Sequence, residues 1–185
     1  KRPVLAFILV KILSLLVSYL AVFLIPDFGN SFPYADRVLT VTGLPEWVWG
    51  WGGFDGVHYL RIAQNGYQDL YYQAFFPLFP LLIRIFNFFP RLGLDPQLYV
   101  DPSFFYTGIL LSNLFLFLAL VVTTKIIKEK DYFWSVLFLL SFPTAFYLGA
   151  VYTESLFLLE LLLFVLFLKK KKYLSYNKKG KNHLK

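Results

Sequence analysis

The chain predicts an all-α membrane protein: about four transmembrane helices, with shorter juxtamembrane or re-entrant helices in a long first outer loop. Three observations carry that expectation. Of 185 residues, 58% are hydrophobic and 21% aromatic, and the mean hydropathy is +0.59, far too apolar for a soluble domain. Several apolar runs approach the length that crosses a hydrocarbon layer. The basic residues Lys1, Arg2, Lys125, Lys128, Lys130 and the run from Lys169 to Lys185 stand just outside those runs. The net charge of +7 is therefore a topology signal and not a nucleic-acid surface. Cysteine is absent, which excludes disulfides, thiolate metal sites and thiol nucleophiles. Methionine is absent too, even at position 1, so the chain is expected to begin inside a longer reading frame.

The first run, Val4 to Ile25, would form a helix of about 33 Å, enough to span. It ends in Ile25-Pro26-Asp27 and not in a small-residue cleavage site, so it is read as a retained span. An outer loop follows over 26–103. From Pro26 to Asp101 it has no lysine, only four arginines and most of the acidic residues, which puts it on the outer or lumenal side. Within it, Asp55 stands where a helix N-cap would and Asn65-Gly66 where a helix stops. That spacing predicts a helix over Gly56 to Asn65, with Asp55, His58, Tyr59 and Ile62 sharing a face. Trp47, Trp49 and Trp51 fit an interfacial aromatic belt.

Ala74 to Phe89 has the hydropathy of a span, but Pro77 and Pro80 push Phe76 and Phe79 toward extended geometry, and Pro90 ends any helix. About 15 Å of helix remains, half a bilayer, so this piece is predicted to be re-entrant or interfacial. Further spans are predicted over 104–127, over 132–150 with a bend near Pro143, and over 151–168. A basic cytoplasmic tail follows over 169–185, unstructured from Tyr173 or resting on anionic headgroups. With four spans every lysine cluster is cytoplasmic, whereas a fifth at 74–89 would put two clusters outside.

Asp55 taken alone is more often a helix cap than a catalyst. His58, one turn along, either contacts a substrate phosphate, orients Asp55 or anchors the short helix. Arg61 and Arg84 either neutralise phosphate through charge-assisted bonds or touch lipid headgroups. Glu154, at the outer turn between the last two spans, either positions an acceptor, helps hold a divalent cation or caps a helix. The outer loop has no Asp-x-Asp pair, and no metal site is expected. Glu160 differs because an acid inside a span is costly and normally has a partner. It lies about 13 Å above Lys169 by helical rise, and Lys11 lies about 12 Å from Pro3. An ion pair between the two is therefore expected, tying the first span to the last.

Three blocks in order, FDGVHYLRIAQNGY (54–67), FFPLFPLLIR (75–84) and SFPTAFYLGAVYTESLFL (141–158), resemble the PIG-V-like mannosyltransferases, membrane enzymes of the GT-C fold. The resemblance runs from about residue 50 to 168. It implies that 1–168 is the N-terminal part of a GT-C-type transmembrane domain whose later spans lie beyond these residues. It also implies a catalytic aspartate in the first lumenal loop, carried over by motif to Asp55; the chemistry of His58, Arg61, Arg84 and Glu154 makes them the candidate substrate contacts around it. The implied donor is a polyprenyl-phosphate sugar of the dolichyl-phosphate-mannose kind, and the acceptor a glycan or glycolipid, with no cofactor. Phe54 departs from the tryptophan that many members carry.

On this reading Asp55 removes the acceptor hydroxyl proton as that oxygen attacks the anomeric carbon, with inversion. Burial near the bilayer interface is expected to make it a better base. The protein would be multi-pass, in the bacterial cell membrane or, in a eukaryote, that of the endoplasmic reticulum. Two other classes compete: a non-catalytic polyprenyl-phosphate-binding or scaffolding protein, and a transporter. A transporter should gather its polar residues at mid-membrane, whereas these are expected at the outer face.

Overall fold

The structure is a computed structural model that describes residues 2–25, 32–87 and 99–182, with side chains for all of these but Pro143 and 172–182. The chain is helical throughout the described residues, with no strand among them. Helix α1 (Arg2–Leu24) and helix α5 (Pro102–Ile126) are the two among the described residues long and apolar enough to cross a membrane. Between them stand α2 (Glu46–Trp49), α3 (Asp55–Asn65) and α4 (Leu78–Phe86), and after them α6 (Tyr132–Leu140) and α7 (Glu154–Asn182). The start of α5 follows from its sequence. The Asp101 carboxylate accepts the Ser103 N–H at 2.8 Å, and Pro102 occupies the first turn, where a missing N–H costs nothing.

Several expectations change. Residues 132–150 do not form one bent span. Helix α6 has nine residues and gives way to a 3₁₀ stretch over Pro143–Gly149, since proline removes a helical donor and clashes with the preceding turn. The two pieces still carry the chain back along α5. The Tyr132 hydroxyl donates to the Leu120 carbonyl at 3.4 Å, and Asn113 Nδ2 donates to the Gly149 carbonyl at 3.2 Å. Helix α7 runs through the lysines as far as Asn182, so the tail expected to be unstructured is helical there. Lysine is a good helix former, and a nucleated helix propagates at little cost.

Helix α4 matches the half-span expectation at nine residues, about 13 Å, though it starts before Pro80 because that proline sits in the first turn. The stop expected at Pro90 lies outside the described residues. The tryptophans form no belt. Trp49 and Trp51 are buried in the protein, and the Trp51 indole N–H donates to the Trp47 carbonyl.

Helices α5 and α7 form the main packed pair, running parallel. At one end Lys169 Nζ donates to the Ile126 carbonyl at 2.7 Å, and Arg2 pairs with Glu129 at 2.6 Å. At the other end the turn before α7 packs on the start of α3. Gly108 of α5 sits at their junction, where an added Cβ would lie 3.0 Å from Val151 Cγ1 and 3.4 Å from both Ile83 Cδ1 and Leu60 Cδ2. The bundle therefore has one basic end and one end carrying the outer loop.

The expected pair of Lys11 with Glu160 does not form. Lys11 Nζ lies 4.3 Å from the centre of the Trp51 ring, beside Gly149, while Glu160 is exposed on the far face of α7. Depth reckoned from helical rise says nothing about which way each side chain points around its helix. The ring face attracts the ammonium in place of a carboxylate.

The packing of the outer end leaves no room at Gly52, where a Cβ would stand 2.7 Å from the Phe105 ring and 3.0 Å from Leu39. Gly52→Ala is expected to cost about 1–3 kcal/mol of stability through overpacking. Thermal unfolding in detergent should show a clear drop in midpoint against wild type.

Candidate functional site

Asp55 opens α3 but does not cap it. The cap position belongs to Phe54, whose backbone at φ 52° and ψ −119° is in a region that residues with a side chain seldom occupy. Such a conformation persists only where the surroundings hold it. Here they come from a point 99 residues along the chain. The Tyr152 hydroxyl donates to the Gly53 carbonyl at 3.0 Å and lies against the Asp55 backbone N–H. The Val151 N–H donates to the Trp51 carbonyl at 2.9 Å. Gly56 completes the fit, since a Cβ there would come 3.2 Å from the Val151 carbonyl oxygen.

The result turns the Asp55 side chain outward. It is exposed, so the burial expected of it is not found, because the strained turn at Phe54 directs the first residue of α3 away from the packed face. Glu154, at the head of α7 and outside its apolar run, is brought beside it. One Glu154 carboxylate oxygen is buried without a hydrogen-bond partner among the described residues. Burial raises its carboxyl above the ordinary value; its own backbone N–H opposes this and the Asp55 charge adds to it. Tyr59, on the next turn of α3, is buried and hydrogen-bonded to Thr153. Two carboxylates 99 positions apart in the chain thus share one edge of the bundle. Among the described residues no three His, Asp or Glu side chains gather as a metal site would require.

His58 stands in an aromatic box, its ring centre 5.8 Å from Tyr34, 5.5 Å from Tyr72 and 5.2 Å from Phe75. Its Nδ1 is buried and unpartnered among the described residues. Burial pushes the imidazole below its ordinary value; the Asp55 charge opposes this and Arg61 adds to it. Arg61 is committed elsewhere, paired with Asp69 and stacked 3.5 Å from the Tyr99 ring centre. Arg84 is exposed in the last turn of α4, and no contact among the described residues joins it to the group around Asp55. The five residues singled out from the sequence therefore divide: the Asp55 charge reaches both His58 and Glu154, Arg61 braces the outer loop, and Arg84 stands apart.

The family described as Mannosyltransferase (PIG-V) matches residues 3–176. The chain belongs to that family. No curated protein and no solved structure matches it. Membership makes this PIG-V chain a glycosyltransferase of the mannosyltransferase kind, with a sugar donor and a glycan acceptor.

Two features of the PIG-V site escaped the sequence. Tyr152 lay in a conspicuous Tyr-Thr-Glu-Ser block, but its bond to Gly53 joins residues 99 positions apart in the chain. An apolar cavity of about 300 Å³ beside Asp55 is bounded by Val17 and Ser18 of α1 and by Trp47, Gly53, Phe54 and Tyr152, and no local signal marks it.

Tyr152→Phe leaves the buried Gly53 carbonyl without its donor and is expected to lower stability by about 1–3 kcal/mol, read as a reduced thermal midpoint. For His58 the sign follows from its lowered value. Its contribution to stability is fully present above about pH 6.5 and is lost as pH falls through the folded-state value. Acidification from about pH 7 to about pH 5 should therefore lower the unfolding midpoint less in His58→Gln than in wild type.

Proposed function

We propose that this PIG-V chain carries the catalytic loop of a mannosyltransferase that moves a sugar from a polyprenyl-phosphate donor to a hydroxyl of a glycan or glycolipid acceptor, on the outer face of a membrane. The observation that carries the reading is the exposed Asp55 held beside Glu154 by Tyr152, next to an apolar cavity. An isoprenoid chain fits such a cavity, which is lined by aromatic rings and by the α1 side chains Val17 and Ser18. The donor phosphate would then stand at its mouth, near His58.

The step asks little of the protein chemically. The acceptor oxygen attacks the anomeric carbon and its proton passes to the Asp55 carboxylate. The bond from that carbon to the phosphate oxygen breaks, and the lipid phosphate leaves as a stable anion that needs no strong acid. One displacement inverts the anomeric centre. Glu154 accepts a hydrogen bond from another acceptor hydroxyl, and neutral His58 donates to the phosphate. Arg61 acts through the loop it braces, and Arg84 meets a headgroup or phosphate at the surface.

Membrane placement is supported by the two long apolar helices and by the gathering of Arg2, Glu129 and Lys169 at one end. Basic residues mark the cytoplasmic side, so the Asp55 end faces outward. Helix α6 with its 3₁₀ extension and the apolar part of α7 supply the third and fourth passages of a GT-C-like bundle, with α4 as a half-depth segment.

The test is transfer. Membranes carrying the chain, supplied with labelled polyprenyl-phosphate mannose and a glycolipid acceptor, should give labelled product. Asp55→Ala should lower the rate by about 10²–10⁴-fold, the usual worth of a positioned general base. Equal rates for wild type and variant would remove Asp55 from the mechanism.

A further inference from the structure

A second cavity shares the Tyr147 ring with the first. Helix α6 stops at Leu140, and the tight 3₁₀ winding from Pro143 leaves a space between its end and the head of α7. That space is about 480 Å³ and is bounded by Leu139, Phe142, Thr144, Tyr147, Leu148 and Glu154. Phe142 and Thr144 are exposed and mark its mouth, while Leu148 is buried. The volume lies in the range of ligand sites, about 300–1,000 Å³, and apolar and aromatic walls with few polar groups are their usual lining. Tyr147 also packs on Tyr152, ring centres 4.6 Å apart, and the Tyr152 hydroxyl holds the Gly53 carbonyl in the turn before Asp55. One pair of rings thus joins that turn to both cavities.

Charge sorts the two. Among the described residues Glu154 is the one charged group on the walls of the second cavity, and the first has none. One Glu154 carboxylate oxygen is buried without a hydrogen-bond partner among the described residues, and an unpaired buried acceptor is costly. An alkyl chain in this cavity leaves that oxygen unpaired, and a phosphate meets like charge from both Glu154 and Asp55. A pyranose ring satisfies both kinds of wall, since its C–H faces suit the Phe142 and Tyr147 rings and its hydroxyls suit the carboxylate. We propose that the second cavity holds the uncharged terminal sugar ring of the acceptor, with Glu154 accepting from one of its hydroxyls and the Tyr147 ring against its face. This rests on the transferase reading and adds which cavity takes which substrate.

The 185 residues hold no cysteine, so Thr144→Cys places their one thiol at the mouth of this cavity. The variant is made in the protein at its full natural length, with any thiol beyond these residues replaced by serine, and is treated in membranes with a water-soluble maleimide. Octyl mannoside is expected to slow labelling about tenfold at about ten times its dissociation constant, and octanol at the same concentration to leave the rate unchanged. Glu154→Leu should raise the mannoside concentration needed about tenfold, through loss of a hydrogen bond to a charged group, and Glu154→Gln, which keeps an acceptor oxygen, should restore most of the protection. Val17→Cys, on the first cavity, should be slowed by polyprenyl phosphate and not by octyl mannoside. A Thr144→Cys thiol that does not react in the absence of ligand shows the space filled by protein and overturns the proposal. Equal protection by octanol overturns it too, as does protection that Glu154→Leu leaves unchanged. The transferase reading fails separately. Protection by mannoside in membranes that form no transfer product removes the reaction and keeps the sugar site, whereas product without protection removes the sugar site alone.

Discussion

The contact between the turn before α7 and the turn before α3 is the constraint on which the rest of the outer end depends. The Val151 N–H to Trp51 and the Tyr152 hydroxyl to Gly53 join segments 99 residues apart in the second case, and both bonds are shielded by packed rings. A buried carbonyl without its donor is expensive, so this pairing is far more than a surface attachment. It holds Phe54 in its unusual backbone geometry, and that geometry turns Asp55 outward. The same pairing brings Glu154 next to Asp55. One junction therefore sets the strain, the exposure and the electrostatic neighbour of the proposed base.

Around that junction the protein uses aromatic rings where a soluble enzyme would use charge. His58 is walled by Tyr34, Tyr72 and Phe75, Lys11 rests on Trp51, and Arg61 on Tyr99. Ring faces accept cations and exclude water without adding a second charge, and only Arg61 takes a carboxylate, Asp69, as well. The cations near the site are thereby quieted, leaving Asp55 and Glu154 as the groups that set its charge. Glu160 is the exception, a carboxylate with no ring and no cation against it among the described residues.

The sequence carried a good share of this. Pro77 and Pro80 told that 74–89 was too short a helix to cross, and α4 is nine residues long. Asn65-Gly66 marked the end of α3, where Gly66 takes φ 79° as a helix-stopping glycine does. The lysine clusters predicted one basic end, and Arg2, Glu129 and Lys169 meet there. These readings succeed because backbone restriction and chain-end charge act over a few residues. The three blocks also pointed to the family that the chain proves to belong to.

What failed needed neighbours. Asp55 looked like a cap and is instead the first residue of its helix, exposed, because Tyr152 holds the preceding turn. Trp47, Trp49 and Trp51 looked like a belt, yet two of them are buried, Trp51 under Lys11 of α1 and Phe146 of the Pro143–Gly149 stretch and Trp49 against Phe32. Lys11 turns to the Trp51 ring while Glu160 is exposed on α7. By itself the sequence determined the helical class, the breaks and the polarity of the bundle, since hydropathy, proline geometry and charge are local properties. Only the tertiary structure decided which side chains face each other, because the azimuth of a helix is set by what packs against it and not by its own residues.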